Sequence, residues 1–427
     1  MENLKGKRLL LLGSNVWRDI IKRFADEYGV TLMFAGNNSG HLGEMVDEVY
    51  TVNSIDHDAM KEFIASHDID GVYMGGSELV ISHACQYLNE LGLPCYCNKE
   101  QWDYLQDKGN FKELCIRNGL PVVPRFIIDP ENIEESVPVD AYPVITKPTD
   151  GSGSNGFSVC YNAKELVAGY KIASENSYTG QVICEKFVNN KGLVAFYSFS
   201  NGEMRYALTE DKYPVKYEKQ GSYVAGLFLC ESKYKDEFRA RYEEKIAQMF
   251  KSIGIKEGTI WIEIFHEGDE YYFNEVGYRY GGSFSFYSVD YITGINQVYA
   301  DLYYATTGKS KLDGFNSLIP AEVERGKHYC IYPVHCLPGT IAAIQGLEEM
   351  KSWSNVVLVP FQHEVGDTIT DSGSFGQVVC LVHFVYDTLD ECKETINKIH
   401  NTLQALDVNG NNLLLRKLDW ERDVAAI

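Results

Sequence analysis

Residues 145–159 read ITKPTDGSGSNGFSV, and the core of this stretch, Gly151-Ser152-Gly153-Ser154-Asn155-Gly156, spells G-x-G-x-x-G. Unrelated nucleotide-binding designs share that spelling, so the flanking residues must decide between them. In a dinucleotide-binding fold the glycines open a helix, whose N-terminal amides receive the pyrophosphate. Here Phe157-Ser158-Val159-Cys160-Tyr161 follows, an alternating run of β-forming residues, so the loop joins two strands. A protein kinase also sets its glycine loop between strands, but its lysine lies on a later strand and H-R-D and D-F-G follow. Neither triplet occurs in this chain. What remains is a lysine ahead of the loop, in Val144-Ile145-Thr146-Lys147-Pro148. Placed there, a lysine reaches back to nucleotide phosphates as a point charge while the loop amides close over them. On this stretch alone an ordinary surface hairpin with a glycine-rich tip remains an alternative.

Working outward, Asp107-Lys108-Gly109-Asn110-Phe111-Lys112 precedes Gly119-Leu120-Pro121-Val122-Val123-Pro124. That order predicts a helix introduced by a second lysine and stopped by glycine and proline. Downstream, Val182-Ile183-Cys184-Glu185-Lys186-Phe187-Val188 reads as a strand entering an acidic, basic and aromatic hinge. Residues 259–279, TIWIEIFHEGDEYYFNEVGYR, read as a hairpin. Glu263 and Glu275 are both odd-numbered, and a three-residue connection, Gly268-Asp269-Glu270, sets them opposite each other. With a side-chain period of two, both carboxylates then point the same way from adjacent strands. Two neighbouring buried carboxylates are costly without a cation between them, and hard oxygen ligands suit Mg²⁺.

As an ordered set these motifs resemble the ATP-grasp superfamily, from the first strand to at least Ser283. The resemblance implies ATP and Mg²⁺ (or Mn²⁺) as cofactors. It implies that Lys108 and Lys147 neutralise phosphates, that Gly151, Ser152, Gly153, Ser154, Asn155 and Gly156 close over them, and that Glu263 and Glu275 hold the metal. Glu185 and the backbone of Lys186, Phe187 and Val188 would face the adenine edge. Arg279 and the amides that follow it, as far as Ser283, would hold the substrate carboxylate and its acyl phosphate, with Arg279 and Lys147 as the catalytic residues. Two departures stand out. Where the family reads Glu-x-Asn-x-Arg, this chain reads Glu275-Val276-Gly277-Tyr278-Arg279, and Gly277 offers no side-chain oxygen. The even parity of Asn274 turns it to the opposite face of a regular strand. The second departure is at residues 189–193, NNKGL, which lack the acid that many relatives set against the ribose.

The reaction implied is phosphoryl transfer from ATP to a small carboxylate, giving an acyl phosphate that an amine captures, with ADP and phosphate released. Positioning and charge neutralisation supply most of such a barrier lowering, which suits a chain without G-x-S-x-G or H-E-x-x-H. A bicarbonate-activating enzyme similar to biotin carboxylase or carbamoyl phosphate synthase is the alternative, and a catalytically degenerate ATP-binding module is another. Leu337-Pro338-Gly339-Thr340-Ile341 is similar to the region after the grasp domain in biotin carboxylase and in bacterial L-amino-acid ligases. A homodimer is possible by analogy with relatives. Tyr213, Tyr217, Tyr223, Phe284 and Phe286 are candidates to line a substrate pocket.

Before this block, strands expected over 7–12, 30–35 and 70–74 alternate with helices over 16–28 and 79–91, the pattern of a parallel sheet with crossovers. The turn after the first strand, Gly13-Ser14-Asn15, has one glycine where a dinucleotide fingerprint has three. A helical stretch is expected near 289–306 and another helix over 390–406. The fold class expected is therefore α/β and α+β, in three parts. These are an N-terminal Rossmann-like parallel-sheet domain (1–107), an ATP-grasp domain of two α+β subdomains (108–320, lid about 121–190) and a C-terminal α+β domain (321–427). A net charge of −21 and a pI near 4.9 argue against a nucleic-acid partner. The apolar run Leu9–Leu12 is too short for a signal-peptide core or a membrane span, so a cytoplasmic protein away from membranes is expected. Eleven cysteines without a C-x-x-C fit reduced, buried thiols.

Overall fold

Leu9 and Leu11 point into one hydrophobic core and Leu10 and Leu12 into another, all four fully buried. Only a strand covered on both faces treats four consecutive leucines this way. The computed structural model describes residues 4–13, 17–150, 156–188, 191–219 and 221–425. In it the strand is β1 (Arg8–Leu12), which pairs in parallel with β2 (Thr31–Ala35) and with β4 (Gly71–Tyr73); β3 (Glu48–Tyr50) adds to β2, giving the order β3-β2-β1-β4. Helix α1 (Arg18–Tyr28) covers one face, and α2 (His57–Ser66) and α3 (Glu78–Glu90) cover the other. The short β3 has no periodic signal in the sequence.

Two further helices lead out of this sheet, α4 (Lys99–Gln106) and α5 (Lys108–Arg117). Asp107 caps α5, its side chain accepting from the Asn110 amide at 2.8 Å. A four-stranded antiparallel sheet follows, ordered β5-β8-β6-β7: β5 (Arg125–Phe126), β6 (Val144–Pro148), β7 (Ser158–Cys160) and β8 (Val182–Lys186). Helix α6 (Ala163–Glu175) lies across it, over a small core of Val144, Cys160, Leu166 and Cys184. The antiparallel pairing of β6 with β7 confirms that the glycine stretch connects two strands; residues 151–155 themselves lie outside the described residues.

Among the described residues nine strands make the largest sheet. Its first six in order are β13 (Glu270–Gly277), β12 (Gly258–Glu267), β9 (Lys191–Ser200), β10 (Glu203–Tyr217), β11 (Ser222–Cys230) and β14 (His328–Cys336). The strands Val378–Tyr386 and Val356–Leu358 continue it. The C-terminal segment thus extends the central sheet through the ladder that joins Phe228 to Ile331. Helix α7 (Lys235–Ser252) covers one face of this sheet.

Residues 286–307 form two helices, α8 (Phe286–Thr293) and α9 (Gln297–Thr307), instead of one stretch near 289–306. Gly294 ends α8 in the left-handed region at φ 75°, and Asn296 starts α9 by accepting from the Tyr299 amide at 3.0 Å. Helix α9 packs back on the parallel sheet so closely that a Cβ at Gly71 would stand 1.8 Å from the Ala305 carbonyl oxygen. The helix expected over 390–406 ends at Thr402, because Gln404–Leu406 pairs with Ala343–Gln345 as strand. The cysteines are free thiols, and all but the partly exposed Cys95 are buried. No described helix is long and apolar enough to cross a membrane.

Candidate active site

Lys147 is the last residue but one of β6, and two main-chain bonds fix the strand's end. The Thr149 amide donates to Gln181 (3.2 Å), and the Lys108 amide donates to the Thr149 carbonyl (3.1 Å), so the start of α5 is docked on the end of β6. The two lysines of the sequence motifs therefore arrive at one place. Lys147 Nζ stands 2.9 Å from Glu185 Oε2 and donates to Asn274 Oδ1 at 2.9 Å. Lys108 Nζ lies 3.7 Å from Glu275 Oε2.

Glu185 is wholly buried between two ammonium groups, Lys147 and, at 2.5 Å, Lys112, which is itself wholly buried. Burial alone would push the Glu185 carboxyl up, but Lys147 and Lys112 outweigh it and hold the group below the usual carboxylate range. Burial pulls the Lys112 ammonium down to about 8, against the pull of Glu185. Glu185 and the hinge, expected to face an adenine edge, have partners within the chain. The carboxylate is committed to two lysines, the Lys186 amide donates to Pro124 (2.9 Å) and the Phe187 amide to Pro143 (3.1 Å). Lys186 Nζ reaches Glu267 at 2.7 Å on the half-exposed rim, and Val188 is buried.

The carboxylate hairpin pairs Glu263 with Glu275, as expected, but by another route. The turn has two central residues, Gly268 and Asp269, with Glu267 paired to Glu270, and Ile264 paired to Phe273. That register would miss the Glu263–Glu275 match by one residue. A β-bulge at Asn274 restores it. The parity argument against Asn274 therefore fails: the looped-out residue turns its amide into the site, where Nδ2 donates to Glu263 Oε2 at 2.7 Å and Oδ1 accepts from Lys147. Glu263 Oε1 accepts from Lys212 Nζ, on β10. Burial would push the Glu263 carboxyl up; Lys212 and Asn274 prevail and hold it low. Lys212 in turn is held above its ordinary range by Glu263, Glu275 and Glu210 against the effect of burial.

Arg279 follows β13, with Nε and Nη2 donating to Glu78 Oε1 (3.1 and 2.5 Å) and Nη1 to the Tyr280 carbonyl (2.7 Å). Glu78 opens α3, so the arginine ties the parallel sheet's helix layer to the end of the hairpin. Gly277 has a spatial reason. A Cβ there would lie 2.3 Å from the Trp261 indole, which fills the place of any larger residue, and the Arg279 guanidinium sits 5.6 Å from that ring. Beneath Arg279 a cavity of about 20 Å³, room for roughly one water, is lined by Tyr73, Tyr96, Tyr280, Asp301 and Tyr304. Of the aromatic candidates, Tyr213, Tyr217, Phe284 and Phe286 are buried in cores and Tyr223 is exposed.

The structure thus brings Lys108, Lys147, Glu185, Glu263 and Glu275 into one network, while Arg279, four residues beyond Glu275, is tied to Glu78. Sequence reasoning missed Lys112, Lys212, Asn274 and Glu78. Lys112 stands one helical turn after Lys108, a spacing that puts both on one face, and this was a readable signal. Lys212 and Glu78 had none, and Asn274 was hidden by the bulge.

Comparison with known proteins bears on the fold. Residues 107–195 match the family described as the carbamoyl-phosphate synthase L chain, ATP binding domain. Over 105 residues the chain is 30% identical to the 2-oxoglutarate carboxylase small subunit of Hydrogenobacter thermophilus, a match covering 22% of this chain and 21% of that protein. Among solved structures, the L-amino acid ligase of Bacillus licheniformis superposes with a TM-score of 0.76 at 19% identity, covering 94% of this chain and 99% of that one. The biotin carboxylase domain of the H. thermophilus 2-oxoglutarate carboxylase, solved with MgADP and bicarbonate, gives 0.74 at 17%, covering 93% and 90%. Phosphoribosylglycinamide synthetase of Anaerococcus prevotii gives 0.70 at 16%, covering 94% and 99%. With a parallel sheet, a strand-flanked lid and a carboxylate hairpin in that order, and with these likenesses over nearly its whole length, the chain has the ATP-grasp fold.

Proposed function

We propose that the chain is an ATP-dependent ligase that activates a small carboxylate as an acyl phosphate and joins it to an amine. One observation carries this reading: Lys147, from the lid sheet, and Glu263, from the central sheet, are bridged by a single side chain, Asn274. A cation able to meet phosphate and an acid able to meet a metal therefore face one another where the two sheets meet.

The residues fit ATP and a divalent cation. Both oxygens of Glu185 and the Lys112 ammonium are buried without an aligned hydrogen bond, being paired only as ions. Held by Lys112 and Lys147, Glu185 would border the adenine edge, as would the backbone of Lys186, Phe187 and Val188. Glu263 and Glu275 would hold Mg²⁺ or Mn²⁺. Among the described residues no group of three or more His, Cys, Asp or Glu converges, so phosphate oxygens and water would complete the shell. The ion would supply charge neutralisation at the transferring phosphoryl group. Lys108 and Lys147 would share that task from the chain's own side, and Arg279, once exchanged from Glu78, would clamp the substrate carboxylate as a planar fork.

Small-molecule carboxylate and amine substrates follow from this reading, and a homodimer would parallel the dimer of the H. thermophilus biotin carboxylase domain. A second reading, bicarbonate activation, is favoured by the 105-residue match to a carboxylase subunit. Phosphate release from ATP and Mg²⁺ separates the two when measured with pooled amino acids and, separately, with bicarbonate. Release with amino acids, together with an amide product, supports the ligase. Release confined to bicarbonate supports the alternative, and nucleotide binding without turnover on either would mark a degenerate module.

A further inference from the structure

Four residues beyond Arg279 the backbone does something that bulky side chains avoid. Phe284 adopts the left-handed region, φ 57°, and is buried. A phenylalanine held there is strained, and such strain persists only where its surroundings require it. Its consequence is local: the residues on either side, Ser283 and Ser285, place their hydroxyls 2.6 Å apart. Ser285 Oγ then donates to Glu210 Oε1 at 2.8 Å. Glu210 is wholly buried, and its other oxygen accepts from the weak Cys230 thiol donor at 3.4 Å.

Each end of this chain of hydroxyls lies a few residues along the chain from a residue of the candidate site. Ser283 lies in the turn that starts at Arg279, and it keeps a little surface whereas Ser285 and Glu210 keep almost none. Glu210 is two residues before Lys212 on β10, hence on the same face, and Lys212 holds Glu263. The titratable groups facing Glu210 are Lys212 and Asp211 on its own strand and Cys230 on β11. Burial pushes the Glu210 carboxyl up to about 7, with Ser285, Cys230 and Lys212 restraining it, so near neutrality it can take up or give up a proton.

We propose that Ser283, Ser285 and Glu210 form a relay that accepts the proton of the acceptor amine. This rests on the ligase reading above. An amine arrives as an ammonium ion, which has no lone pair to attack with. Its proton passes to Ser283 Oγ as the Ser283 hydroxyl proton moves to Ser285 and that of Ser285 to the Glu210 carboxylate. The freed lone pair forms the C–N bond, the C–O bond to the phosphoryl group breaks, and phosphate leaves with that electron pair and the second nitrogen-bound proton. Glu210 returns its proton along the same path after product release. Ser283 is the only member that would touch substrate; Ser285 and Glu210 act through it.

The test compares two nucleophiles. Hydroxylamine is largely uncharged at neutral pH and needs no proton acceptor, so it reports acyl-phosphate formation alone. The wild type, Glu210→Gln and Ser285→Ala are each given ATP, Mg²⁺ and pooled proteinogenic L-amino acids, with and without hydroxylamine, and hydroxamates and dipeptides are quantified by mass spectrometry. The relay predicts dipeptide formation lowered by about a hundredfold or more in both variants, the range of general-base effects, with hydroxamate formation changed by less than about tenfold. Dipeptide formation within about threefold of wild type in both variants overturns it. So does a parallel fall of both products, which is the mark of a structural role. A wild type that makes neither product defeats the ligase reading and the relay with it.

Discussion

Asn274 donates to Glu263 from a strand position that a regular ladder would turn away, and the same side chain accepts from Lys147. One bulged residue thereby joins the lid's cation to the hairpin's acid. Replacing Asn274 with Ala should leave Glu263 Oε2 without its buried donor, at a cost of about 1–3 kcal/mol in unfolding free energy. ATP turnover should fall at least about tenfold, with more Mg²⁺ needed for half-maximal rate. Urea denaturation and phosphate release across a magnesium series measure both effects.

Lys147→Ala and Glu275→Ala should each reduce ATP turnover by about a hundredfold or more, the scale of losing one charge-stabilising group. Both should keep the wild-type far-UV circular dichroism spectrum. Near-normal turnover in either would remove that residue from the site.

Gly277→Asn, which installs the residue the family favours, should destabilise the chain instead of improving it. Its Cβ would meet the Trp261 indole at 2.3 Å, and overpacking of this kind costs about 1–3 kcal/mol. Adding Trp261→Ala to Gly277→Asn should recover part of the loss. Chemical denaturation of the single and double variants decides the matter, and an unstrained single variant would mean that Trp261 is free to swing away.

Asp301 accepts a hydrogen bond from Tyr280, and burial raises its carboxyl to about 7 in the folded chain. A carboxyl raised on folding favours the folded state while protonated. Its contribution is complete below its unfolded value of about 3.9 and is lost as pH rises through about 7. Asp301→Asn cannot ionise, so its stability relative to wild type should rise from pH 4 to pH 8 by a few kcal/mol, since each tenfold change in proton affinity is worth about 1.4 kcal/mol. Unfolding midpoints at the two pH values measure it. A difference that stays constant across them would place Asp301 in a wetter setting.

Much of the architecture was legible because it rests on local rules. Four leucines in a row announced β1, alternation after the glycines announced β7, and Lys108 ahead of the Gly119 and Pro121 stop announced α5. The pairing of Glu263 with Glu275 was also legible, though for an incomplete reason: a shorter turn and a compensating bulge give the same match as a longer turn and a regular ladder. Parity fails wherever a residue is added to one strand, and sequence alone does not mark where this occurs. Lys212 and Glu78 were invisible for another reason. Each meets its partner across more than fifty positions of chain, Glu263 and Arg279 respectively, and contacts between elements so far apart leave no spacing to read. The departure at Gly277, puzzling as a string of letters, becomes ordinary once the indole beside it is seen.

The ladder between β11 and β14 has a consequence for anyone trimming the chain. Cutting after α9 would strip β11 of its neighbour and leave Phe228–Cys230 with a bare row of amides and carbonyls. An open edge of that kind recruits any strand it meets. The shortened protein should therefore clump, and the last hundred or so residues serve as a selvedge that keeps the central sheet from fraying into its neighbours.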